Sequence, residues 1–158
     1  MNATELFFSA IQSGNLEHVK LQLEHNPNLV NVKDTRGFTP LIFATYFGKE
    51  DIAEVLMDHN ADVNAQDASG NTALIGVSFK GNIKLVELLI AKRAEINATN
   101  NNRATALIFA SMYNQDAVVE ILKKYNADSS ITDANGKSAL DHAEEKGFNS
   151  IVALLKEF

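Results

Sequence analysis

A chain of 158 residues, 46% hydrophobic and 22% charged, is long enough for a sizeable core and too apolar to stay disordered. Its formal net charge of −6 and lack of any basic run argue against nucleic acid as the partner. The absence of cysteine excludes disulfides, thiolate metal sites and cysteine nucleophiles. No apolar run approaches the ~20 residues of a membrane span, so no membrane insertion is expected. The start, MNATELFFSAIQSG, has no basic leader before its short apolar patch, which places the expected site of action in the cytoplasm.

In chain order, residues 1–33 read as two short helices. The first closes at Gly14 and the second leaves through HNPNLVN (25–31). Gly14 lies 34 residues before Gly48, whereas Val30-Asn31 lies 33 before Val63-Asn64. One extra residue therefore sits in that exit, where Pro27 bends the chain. From Asp34 onward the sequence repeats itself. Asp34, Asp67, Asn100 and Asp133 recur at 33-residue steps, as do Thr39, Thr72, Thr105 and Ser138. Leu41, Leu74, Leu107 and Leu140 keep the same step, and so do Leu56, Leu89, Leu122 and Leu155, and Ala61, Ala94 and Ala127. Such a period marks stacked units, none able to bury its apolar face alone. The frame is one domain: an N-terminal cap at 1–33, full repeats at 34–66, 67–99 and 100–132, and a C-terminal cap at 133–158.

Each repeat reads as a helix pair. TPLIFA (39–44), TALIGV (72–77), TALIFA (105–110) and SALDHA (138–143) look apolar enough for buried strands, yet their flanks are those of helices. The leading Thr or Ser can accept a hydrogen bond from the free amides of a helix start, and Pro40 suits the first helical position. Gly48, Gly81, Asn114 and Gly147 follow at the expected end, where a left-handed residue closes the helix. A second helix comes next, as in IKLVELLIAK (83–92), and stops at Asn60, Arg93 and Asn126. The last unit breaks off within its second helix, and its Glu144 and Glu145 replace Thr45-Tyr46, Ser78-Phe79 and Ser111-Met112. That is the wetter outer face a terminal unit needs.

The sequence resembles the ankyrin-repeat family, whose 33-residue unit is a β-turn and two helices with the pattern T-P-L-H-x-A. Thr39-Pro40-Leu41-Ile42-Phe43-Ala44 carries that pattern, and Ala61-Asp62-Val63-Asn64-Ala65 and Ala94-Glu95-Ile96-Asn97-Ala98 resemble its second-helix exit. The Ile-rich TALI form resembles that of bacterial members. The resemblance covers essentially the whole chain and implies an all-α solenoid of helix-turn-helix pairs joined by β-turn loops and capped at both ends. Three departures stand out. The family's His is Ile42, Ile75 and Ile108 here, so packing must replace its polar link, and in the last unit it is Asp141, three residues after Ser138 as in a capping box. The turn glycines Gly37, Gly70 and Gly136 have Arg103 as their third-repeat counterpart. Gly76 falls between Phe43 and Phe109 at one repeat position, which is consistent either with interdigitated packing or with a space filled by another side chain.

Nothing in the sequence calls for catalysis. His25 and His59 fall near helix ends, where a cation suits the dipole. His142 beside Asp141 does not face it on a helix, and no phosphate loop or H-E-x-x-H occurs. No cofactor, no metal site and no enzyme activity are expected. The candidate site lies at the ends of the first helices, at Tyr46-Phe47, Phe79-Lys80 and Met112-Tyr113, then Glu145-Lys146. In ankyrin-repeat proteins these positions and the turn residues look into a concave groove that takes partners. The resemblance therefore implies partner-binding residues Arg36, Phe38, Tyr46, Phe47, Ser69, Asn71, Phe79, Lys80, Asn102, Met112 and Tyr113. Aromatic and Met anchors with a polar rim suit a protein interface. Position alone leaves two placements, open to the groove or packed between repeats. The expected function is a monomeric, non-catalytic module that binds a protein partner of unknown identity. The alternatives are a self-associating scaffold and, further off, a small-ligand or enzymatic domain.

Overall fold

The structure is a computed structural model that describes residues 1–157. Among the described residues it is all-α: ten α-helices packed in pairs, one 3₁₀ helix and no strand. The chain divides into two compact units, Met1–Ala73 and Leu74–Phe158. The first contains α1 (Ala3–Ser13), α2 (Leu16–His25), the 3₁₀ helix Pro27–Asn31, α3 (Pro40–Tyr46) and α4 (Glu50–Asp58). The second comprises α5 (Ala73–Lys80, its first residue at the division), α6 (Ile83–Ala91), α7 (Ala106–Met112), α8 (Asp116–Lys124), α9 (Ala139–Lys146) and α10 (Asn149–Lys156).

The apolar TALIFA segment is α7, and its caps show why. Thr105 Oγ1 accepts the Ile108 amide at 3.2 Å, as Thr39 Oγ1 accepts that of Ile42 at 3.2 Å. Ser138 and Asp141 make a full capping box on α9. Gly14, Gly48, Gly81, Asn114 and Gly147 all close first helices with positive φ, and Asn60, Arg93 and Asn126 do so after second helices. The first pair departs from this pattern where the extra residue was expected. Asn26 has φ −144°, and Pro27 opens a 3₁₀ turn in place of a left-handed cap.

The repeated Asp or Asn holds each turn. Asp34 Oδ1 accepts the amides of Arg36 and Phe38, at 2.9 and 3.0 Å. Asp67, Asn100 and Asp133 do the same for the residues two and four places on. The fourth residue of each turn has positive φ, from 60° at Arg103 to 81° at Gly70. Gly37 also needs to lack a side chain, because a Cβ there would sit 2.8 Å from the Ala68 backbone nitrogen.

Asparagines link successive second-helix exits within each unit. Asn31 Oδ1 accepts the Asp62 amide at 2.9 Å, and Asn97 Oδ1 accepts that of Asp128 at 2.8 Å. The first unit is centred on buried Phe7, Ile11, Leu23, Leu41 and Leu56, and the second on Leu74, Leu85, Leu89, Leu107 and Leu122. Ile42, Ile75 and Ile108 are buried too, so packing does fill the position where the family carries His. Glu144 and Glu145 are exposed, whereas Thr45, Ser78 and Ser111 at the phase of Glu144 are sealed from solvent.

Candidate functional site: exposed rings at the ends of the first helices

In the first unit, Tyr46 is the last residue of α3 and Phe47 its C-cap. Phe47 is 50% exposed and Tyr46 is half-buried, with their rings edge to face at 5.3 Å. Phe43 anchors the pair from beneath, 4.8 Å from Phe47 and 5.4 Å from Phe8 of α1. Arg36 lies across this group, its guanidinium 4.5 Å from the Phe38 ring and 5.7 Å from that of Phe43. Asp34 fixes Arg36 through Oδ2, which accepts from Nη2 at 2.7 Å and Nε at 3.1 Å. Burial pushes the Asp34 carboxyl up, but Arg36 and the turn amides outweigh it and hold its pKa below the ordinary value. An open hollow of about 510 Å³ runs beside this arrangement, bounded by Phe8, Gln12, Lys33, Arg36 and Phe43. Ser69 is exposed and Asn71 half-buried, and both donate their amides to Asp67.

In the second unit, Phe79 and Tyr113 are brought together. Their rings meet edge to face at 4.6 Å, and Tyr113 also lies parallel to Phe109 at 6.3 Å. Phe79 thus packs on the following repeat. Tyr113 stays 46% exposed, Phe79 and Met112 are half-buried, and Lys80 and Asn102 are exposed. Gln115 donates through Nε2 to the Phe79 carbonyl at 3.0 Å, which ties the end of α5 to the start of α8. Lys146, at the same repeat phase as Lys80 and Tyr113, holds its Nζ 5.9 Å from the Tyr113 ring centre.

Every residue of the candidate set is exposed or half-buried. Among the contacts that escaped the sequence reading are the Lys146 approach to Tyr113 and a buried pair between His142 and Asp133. His142 Nε2 lies 2.7 Å from Asp133 Oδ2, and both side chains are nearly sealed. Burial raises the Asp133 pKa, but the His142 bond and the Lys137 and Asn135 amides bring it below the ordinary value. Its signal was present in the sequence, as a His in the first helix of the same repeat as a turn Asp. His25 and His59 do what helix ends ask, their Nδ1 atoms donating to the Leu21 and Val55 carbonyls at 2.9 and 2.8 Å. Among the described residues, no three His, Asp or Glu side chains come together as metal ligands would.

Helix pairs repeated every 33 residues, with Asp- or Asn-anchored turns between them, define a repeat scaffold. The chain belongs to the ankyrin-repeat family: the family profile "Ankyrin repeats (3 copies)" matches residues 6–100 and 74–157. It is similar to the human protein described as DNA-binding protein RFXANK, with 45% identity over 49 residues. That match covers 31% of this chain and only 19% of the human protein's length. Ankyrin repeats are generally protein–protein interaction modules and typically non-catalytic, and no described helix is long and apolar enough to cross a membrane.

Proposed function

We propose that the protein binds a protein partner through the exposed residues at the ends of its first helices and in the adjoining turns. The observation that carries this reading is the exposure of Phe47 and Tyr113, two large rings left half open to water at one repeat phase. Aromatic anchors of this kind, accompanied by Arg36, Ser69 and Asn71 in the first unit and by Lys80 and Asn102 in the second, match the composition of protein interfaces. Ring contacts to Phe43, Phe79 and Phe109 hold the anchors in place before a partner arrives, so little side-chain entropy is lost on docking. The module acts as a monomer without chemistry of its own. The human relative's description as DNA-binding belongs to that protein, and a chain of net charge −6 is better suited to a protein partner.

Affinity purification with the wild-type chain and a Tyr46→Ala/Tyr113→Ala variant, each checked for unchanged helical circular dichroism, tests the site. The wild type should retain a partner that the variant loses. Recovery of the same partners by both chains overturns the assignment.

A further inference from the structure

The last turn carries a covalent weak point that is independent of partner binding. Asparagine is followed by glycine once in the chain, at Asn135-Gly136, and both residues are exposed in that turn. The Asn135 carboxamide forms no hydrogen bond among the described residues, and a Cβ at Gly136 would meet nothing within 4 Å. An unengaged side-chain amide thus lies next to a backbone nitrogen whose own residue brings no side chain to crowd it.

We infer that Asn135 is a site of spontaneous deamidation, with water as the co-reactant. The Gly136 backbone nitrogen attacks Asn135 Cγ and forms a C–N bond. The Cγ–Nδ2 bond breaks, and ammonia leaves with the proton that the attacking nitrogen gives up. Water then opens the cyclic imide. Entry at Cγ yields aspartate, and entry at the backbone carbonyl yields isoaspartate, whose main chain runs through the former side chain. Gly136 N–H must first leave the Asp133 carbonyl, to which it donates at 2.9 Å, so the reaction follows local opening of the turn.

The third turn supplies an internal control. Asn102 holds the place of Asn135, its amide donating to Asn100 Oδ1 at 2.9 Å as that of Asn135 donates to Asp133 Oδ1 at 2.9 Å. The next amide returns to the anchor's carbonyl at 2.9 Å in both turns, and the next φ is positive in both, 60° and 76°. Two differences remain. Arg103 follows Asn102, and its side chain crowds the approach to Cγ. The Asn102 carbonyl also accepts the Ala134 amide at 2.9 Å, whereas no amide of a described residue holds the carbonyl of Asn135. Both differences favour reaction at Asn135.

The product acts on the turn itself. With the Asn135 amide 2.9 Å from Asp133 Oδ1, a carboxylate on that residue is close enough to repel Asp133. Asp133 already serves two amides and His142, and Lys137, two places on, is taken by Glu145 at 2.8 Å. Isoaspartate also shifts the amides that Oδ1 accepts. Deamidation therefore loosens the last repeat.

Peptide mapping by mass spectrometry tests this on the folded protein, aged in mildly alkaline buffer at physiological temperature with its circular dichroism followed throughout. Asn135 should convert about tenfold or more faster than Asn102 and give both products. Arg103→Gly should raise conversion at Asn102 severalfold and leave that at Asn135 unchanged. Asn135→Asp should lower the urea midpoint. Equal rates at the two asparagines overturn the inference, as does an Asn135 that stays intact while a free peptide of residues 130–141 converts. An Asn102 indifferent to Arg103→Gly overturns crowding as the cause, and an unchanged midpoint for Asn135→Asp overturns the loosening.

Discussion

At Arg103 the backbone has φ +60°, in the place where the other three turns carry Gly37, Gly70 and Gly136. A side chain in that region crowds the following carbonyl, at a cost of about 1 kcal/mol. Arg103→Gly should therefore raise the urea midpoint, less whatever flexibility glycine adds to the unfolded chain. A lower midpoint would show that Arg103 makes a stabilising contact. Ser111 offers a second case. Its hydroxyl is buried without a partner, as is that of Ser78, whereas Thr45 at the same phase donates to the Leu41 carbonyl at 2.8 Å. Burying an unbonded hydroxyl costs on the order of 1 kcal/mol, so Ser111→Ala should stabilise the fold by a comparable amount in thermal or urea melts. Asp133 is the acid-sensitive residue. Its pKa is lowered in the folded state, so its contribution is complete above the unfolded value near 3.8 and is lost as pH falls through the lower folded value. Asp133→Asn should be less stable at neutral pH and lose less on acidification than the wild type, as read from urea midpoints across that range.

The helices were the most legible elements, and α7 shows why. Its apolar run is ambiguous alone, but Thr105 ahead of it and Asn114 behind it are helix punctuation, and both play those roles. Thr105→Ala should accordingly cost about 1 kcal/mol of stability; no change in the melt would mean the Ile108 amide finds water instead. The turns were half legible. The 33-residue step marked Asp34, Asp67, Asn100 and Asp133 as special, but periodicity identifies a position without saying what it bonds. Their work, one carboxylate or amide oxygen taking two amides, is a three-dimensional fact. The asparagine links from Asn31 and Asn97 were hidden for the same reason, since each partner amide lies 31 residues away. The 3₁₀ turn after α2 could be located from the extra residue and Pro27, though not its type.

For the molecule as a whole, the family follows from a repeat visible by eye. The candidate site was legible as a set of positions, because phase puts Tyr46, Phe47, Phe79, Lys80, Met112 and Tyr113 at the ends of first helices. Which of them face water was not legible, since a ring at a helix end can turn either way. Phe43 and Phe109 illustrate this: one phase, yet the first is buried and the second half-buried. Light scattering over a range of concentrations should give the mass of one chain, 17.3 kDa, if the exposed rings await a different protein. A rise toward twice that mass would point to self-association.

One substitution among the turn anchors has a further consequence. Asn100 grips the Asn102 and Ala104 amides with a neutral oxygen, where the first and last turns use the carboxylates of Asp34 and Asp133. An amide takes up no proton over the range in which a carboxylate does. Acid strong enough to bring the pH below 3.8 should thus loosen the outer fingers while the third keeps its hold, and amide exchange would speed up at Phe38 and Lys137 before Ala104.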